Sequence, residues 1–146
     1  MISQELMLGD WVMLNPDLKE YYPFAGKSCM VIGLHDDDGA IKIEYDNGKY
    51  FWTDAEDDVI PIPLTPEILE NNGFTDWADH SRTTRSCSML IDRTNIIVQK
   101  IDGTDYIFTQ FYRGGVDSCE FRMDLKYVHE LQHALRLCGI DKEIEL

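Results

Sequence analysis

The sequence predicts an α+β protein with two β-rich halves and one C-terminal helix. Three observations carry this reading. Residues 40–45 alternate strictly, with Ile41, Ile43 and Tyr45 on one side and Lys42 and Glu44 on the other, the period of two of a half-buried strand. Turn-forming clusters such as Asp46-Asn47-Gly48 and Asp102-Gly103 punctuate short apolar runs throughout the chain. Near the end, Leu125, Val128, Leu131, Leu135 and Cys138 recur at spacings of three and four, the stripe of an amphipathic helix.

Each element follows in order. Leu8 to Leu14 reads as a turn entering a short strand, and Asn15 to Lys27, with two prolines and Gly26, as a long loop. Ser28–Leu34, Ala40–Tyr45, Lys49–Thr53 and Asp57–Ile62 are the next strands, the middle pair joined by the Asn47-Gly48 hairpin. Five short strands with a long first loop and tight hairpins predict an SH3-like or Tudor-like small barrel over residues 1–64.

Residues 65–146 form the other half, expected to pack with the first as one compact unit. Thr65 is an N-cap, Pro66 the first helical residue and Gly73 the stop of a short linking helix. Thr75 to Ser86 is polar and reads as irregular. Ser88–Asp92, Asn95–Ile101, Thr104–Tyr112 and Cys119–Met123 then form an antiparallel β-meander, with a turn at Arg113-Gly114-Gly115. The last helix is expected to start at Asp124 as N-cap and stop at Gly139, with Ala134 and Leu137 widening its apolar stripe. The tail from Asp141 is expected to add an edge strand through Ile144 and Leu146.

Composition narrows function. The 146 residues are 44% hydrophobic and 27% charged, enough apolar content for a packed core. A net charge of -14 repels phosphate backbones, so direct nucleic-acid binding is disfavoured. Residues 1–64 hold 13 acids against 4 bases, whereas residues 65–146 hold 14 against 9. Arg82, Arg85, Arg93 and Lys100 oppose only Asp92 between residues 81 and 100, the one locally basic stretch.

Cys29, Cys87, Cys119 and Cys138 form no CxxC pair. The first ten residues lack the basic and apolar regions of a secretory leader, and no apolar run approaches the roughly 20 residues of a membrane span. The expectation is a cytoplasmic protein with free thiols and no membrane contact.

His129-Glu130-Leu131-Gln132-His133 matches HExxH. Two histidines four apart on a helix can share a zinc ion while the glutamate acts as general base. A third ligand is missing at its usual place, since Arg136 and Gly139 stand where a continuation would put Gly and His. The pair is also expected to lie far from the apolar stripe, facing solvent or a groove edge among Lys126 and Arg136. A zinc-dependent hydrolase using His129, His133 and Glu130 is therefore an alternative reading, and no cofactor is implied.

Other constellations are binding candidates. Trp11, Tyr50 and Trp52 with Asp54 resemble the aromatic-plus-carboxylate sets that hold cationic groups, although aromatics also fill the cores of small barrels. Arg82 and Arg85 mark the basic stretch. Asp36-Asp37-Asp38-Gly39 fails as an EF-hand because Asn47 stands at its twelfth position. No GxxxxGK[ST] or GxGxxG loop is present.

Leu6 to Val12, Pro61 to Phe74 (PIPLTPEILENNGF) and Tyr127 to Gln132 (YVHELQ) resemble a family of small proteins found in gut Bacteroidetes, their phages and their mobile elements. The resemblance touches both halves. It implies origin and architecture rather than chemistry. It also implies Asn at the position of His133 in relatives, which weakens the paired-ligand reading. The expected function is a non-enzymatic interaction or accessory protein of phage or mobile-element origin, binding a protein partner or small ligand of unspecified identity. A sponge for nucleotide-like ligands, or a nucleic-acid mimic acting against host defence, is the other alternative.

Overall fold

A computed structural model describes residues 5–35, 37–91, 93–112 and 119–146, without the side chains of Tyr112, Cys119 and Glu120. Most of the chain is β-structure, in two antiparallel five-stranded sheets with few helices. It divides into two compact units, Met1–Pro63 and Leu64–Leu146. The Arg113-Gly114-Gly115 turn, Asp36 and Asp92 lie outside the described residues.

The first unit holds β1 (Trp11–Leu14), β2 (Ser28–Leu34), β3 (Ala40–Asp46), β4 (Lys49–Asp54) and β5 (Val59–Pro61), in the order β4-β3-β2-β1-β5. Alternation decides which face is buried. Val12, Leu14, Cys29, Val31, Ile41, Ile43 and Val59 point inward and are at most 1% exposed. Burying an aliphatic side chain of this size stabilises the fold by about 1.5–3 kcal/mol. The long loop after β1 is less open than its composition suggests. Pro16–Glu20 forms a 3-10 turn capped by the Asn15 side chain, and Tyr22 and Phe24 then pack against Phe51, with Phe24 stacked on Tyr45 at 3.9 Å between ring centres.

The second unit opens with α1 (Pro66–Asn71). Thr65 Oγ1 accepts a hydrogen bond from the Ile68 amide at 3.3 Å, and Gly73 takes φ 87° just past the end. Five strands follow as a meander: β6 (Thr75–Asp79), β7 (Thr84–Ile91), β8 (Thr94–Ile101), β9 (Tyr106–Tyr112) and β10 (Cys119–Leu125), each paired with its chain neighbour. β6 and the start of β7 occupy the stretch expected to be irregular. Buried residues come from α1 (Leu69), the sheet (Cys87, Ile96, Val98, Phe108) and α2 (Val128–Leu137).

Three expectations about the C-terminus are corrected. Asp124 is not the helix cap: it pairs with Ile107 inside β10, and α2 begins only at Val128. Leu137 does not widen the buried stripe, because it is 68% exposed. The tail forms no strand among the described residues. It is instead held by the buried Asn72 side chain, which accepts from the Glu145 amide at 2.8 Å and donates to the Glu145 carbonyl at 2.7 Å.

Candidate anion-binding groove

The meander brings one row of residues across its five strands: Asp79, Arg85, Lys100, Tyr106 and Leu125 are cross-strand partners in succession. Side chains two residues apart share a face, so Arg85 and Lys100 lie on the same face as the buried Cys87, Val98 and Phe108, at its end.

Trp77 joins that face through a bulge. Thr75 pairs with Ser88, and an unbroken ladder would set Trp77 opposite Ser86 on the other face. Instead Ala78 takes Ser86 and Asp79 takes Arg85, so one residue is inserted between the two pairings. Asp76 absorbs the insertion with φ 57°, a left-handed conformation uncommon for residues other than glycine. Trp77 thereby meets Arg85, whose guanidinium carbon lies 4.5 Å from the ring centre.

The result is a cavity of about 340 Å³ whose walls include Trp77, Arg82, Arg85, Lys100 and Tyr106, with Ser81, Thr83 and Thr84, at the small end of the range for small-molecule sites. Two carboxylates also line it, Asp79 and Asp102. Asp79 sits 3.4 Å from Arg85 Nε, with both side chains more than half exposed, so their attraction is screened and weak. Lys100 Nζ lies 4.7 Å from the centre of the Tyr106 ring and donates to the Thr104 carbonyl. Burial, reinforced by the neighbouring Cys87 and opposed by Arg85, raises the Tyr106 pKa above its usual value. The Trp77 indole Nε1–H is shielded from solvent and has no hydrogen-bond partner among the described residues, a cost of about 1–3 kcal/mol.

The basic stretch is thus split. Arg82, Arg85 and Lys100 converge on the groove, whereas Arg93 follows the Ile91–Thr94 end of the β7–β8 ladder, opposite the Thr84–Ile101 end. Trp77 and Tyr106 escaped the sequence reading. The one available signal was a tryptophan standing within a polar, charged segment.

The aromatic candidates of the first unit lie on the outer face of its sheet. Trp11, Met30, Glu44 and Tyr50 form one cross-strand row, and Lys42 pairs with Trp52 in the next. Tyr50 already holds a cation of the chain's own, with Lys42 Nζ 3.7 Å from its ring centre. Trp52 lies over Gly33, where an added Cβ would come within 3.4 Å of the indole and 2.9 Å of Lys42 Cβ. Asp54 is taken up by its own turn, accepting from the Glu56 amide at 2.7 Å and the Asp57 amide at 3.2 Å. A cavity of about 320 Å³ is lined by Trp11, Glu44 and Asp46. Glu44 caps the Gly48 amide at 2.6 Å and Asp46 pairs with Lys49 at 3.4 Å.

The HExxH helix differs from expectation. His129 does not face solvent: it is 5% exposed, stacked on Tyr127 and edge-on to His133 at 5.6 Å between ring centres. The buried arc of α2 spans Val128, His129, Leu131, Gln132, Ala134 and Leu135, wider than the aliphatic stripe alone. Glu130 reaches back over the helix start, where Oε2 accepts from the Lys126 amide at 2.6 Å and the Tyr127 amide at 2.9 Å, as an N3 glutamate does in a capping box. Among the described residues no three His, Cys, Asp or Glu side chains are grouped to hold a metal ion. Among the described residues no helix is long and apolar enough to cross a membrane.

No family model matches the chain, and neither a curated protein nor a solved structure matches it.

Proposed function

We propose that this chain is a non-enzymatic binding module whose groove in the second unit captures a small anionic ligand. The observation that carries the reading is the convergence of Arg82, Arg85 and Lys100 on one cavity in a chain of net charge -14. A field of that sign opposes a polyanion along its whole length, whereas a small anion meets mainly the local cations. The left-handed Asp76 and the unsatisfied Trp77 donor add support, because local costs of this kind concentrate at functional sites.

The wider setting is part of the same proposal. The strand order β4-β3-β2-β1-β5 is compatible with an SH3-like barrel in the first unit. The sequence resemblance supports a phage or mobile-element accessory protein acting in the cytoplasm. Glu130's role as a helix cap weighs against a zinc hydrolase.

The chain has three tryptophans, so its indole N–H resonances can be followed one by one. Titration with inorganic phosphate is expected to shift the Trp77 resonance and leave Trp11 and Trp52 in place, with the shift lost in an Arg85→Ala, Lys100→Ala double variant. A Trp77 signal indifferent to anions of every class overturns the proposal.

A further inference from the structure

We infer that the ligand of the groove is a planar ring bearing an anionic group, a deepening that rests on the anion-binding reading above. The argument starts from the form of the cations. Arg85 is backed by the Trp77 indole at 4.5 Å, and its side chain is 52% exposed. A guanidinium supported on one face by an aromatic ring is a flat, oriented platform, and guanidinium planes stack on rings as readily as they pair with oxyanions. A compact ammonium offers the charge without the plane.

The neighbouring positions complete the pattern. Lys100, Arg85's cross-strand partner, is likewise set over an aromatic ring, that of Tyr106. Arg82, in the segment between β6 and β7, adds a further charge to the lining. One wall therefore offers a surface for stacking, and Lys100 and Arg82 supply cations beside the Asp79 and Asp102 carboxylates. Inorganic phosphate or acetate would use only the charges. A nucleoside monophosphate or an aromatic carboxylate would use the charges and the platform together. These two share the same chemistry, and the probes distinguish them.

Trp77 indole shifts of the full chain give the affinities of AMP, phosphate and adenosine, and of benzoate and acetate. At least one ring-bearing anion is expected to bind roughly ten-fold more tightly than its ringless counterpart, and adenosine more weakly than AMP. AMP against benzoate then names the source of the ring. Arg85→Lys is expected to lose the advantage of the ring, the ratio of ring-bearing to ringless affinity falling towards one.

Ratios near one for both pairs overturn this inference and leave the anion-binding groove standing. Adenosine binding as tightly as AMP, or Arg85→Lys retaining the full ring preference, also overturns it. Failure of every anion to move Trp77 overturns both readings.

Discussion

The guanidinium of Arg85 lies 4.5 Å from the centre of the Trp77 ring, brought there by a single inserted residue in the edge strand. The contact is half exposed, so it serves the shape of the groove more than stability. Arg85→Ala is expected to cost no more than about 1 kcal/mol in a urea melt while shifting the Trp77 indole resonance in the unliganded protein.

Asp76 carries the backbone cost of that insertion. Asp76→Gly is expected to stabilise the protein by up to about 1 kcal/mol, since glycine adopts φ 57° without steric penalty. Deleting Asp76 should instead restore a regular ladder in which Trp77 follows Thr75, falls opposite Cys87 and keeps its place on the face of Arg85. The deletion is therefore expected to retain the phosphate-induced Trp77 shift, as read by two-dimensional NMR.

Glu130 tests the helix chemistry. Glu130→Ala is expected to destabilise the protein by about 1–2 kcal/mol through loss of the amide cap. Glu130→Gln should recover most of that loss, because its amide oxygen can still accept. Equal destabilisation by both substitutions in denaturant melts would contradict the capping role.

Asn72 works as a stand-in strand partner for the tail, and also donates to the Ile68 carbonyl at 2.7 Å. Asn72→Leu is expected to cost about 2 kcal/mol, the scale of unsatisfied buried polar groups. Amide exchange at Glu145 should accelerate with it.

Alkaline pH should weaken the fold through its buried thiols. Burial, opposed by Arg85 and reinforced by Glu70, pushes the Cys87 thiol from 9.0 to about 12, and burial also raises Cys29. Below pH 9 the thiol is protonated in both states and contributes no slope. Between pH 9 and about 12 the unfolded chain releases a proton that the folded chain keeps. Stability should then fall by roughly 1.4 kcal/mol per pH unit for this thiol. Cys87→Ala should flatten part of that decline in urea melts run across the range, whatever its own effect at neutral pH.

Much of this architecture was legible in the residues. Ile41 and Ile43 alternate with Lys42 and Glu44 because one face of β3 is buried, and Thr65-Pro66 starts α1 where capping chemistry requires. β6 was missed because its bulge breaks the period of two between Thr75 and Ala78. The start of α2 was misplaced because Asp124, a good cap in isolation, is committed to pairing with Ile107. Glu130 at the third helical position was the better signal. The groove was half legible: Arg82, Arg85 and Lys100 stood out as charge, but only cross-strand register separates them from Arg93 and joins them to Trp77 and Tyr106.

Strand order also sets how each unit can assemble. In the second unit every strand pairs with its immediate chain neighbour, so each closure is short and the sheet can zip from any hairpin outward. In the first unit β1 must wait for β5, with Val12 meeting Pro61 from the far end of the unit. The groove is built entirely from the locally wired sheet and the start of α1, whereas the first sheet depends on a long-range closure. During synthesis or refolding, the strands that carry Arg85, Lys100 and Tyr106 should therefore find one another quickly, and closure of the first sheet should come as the slower event.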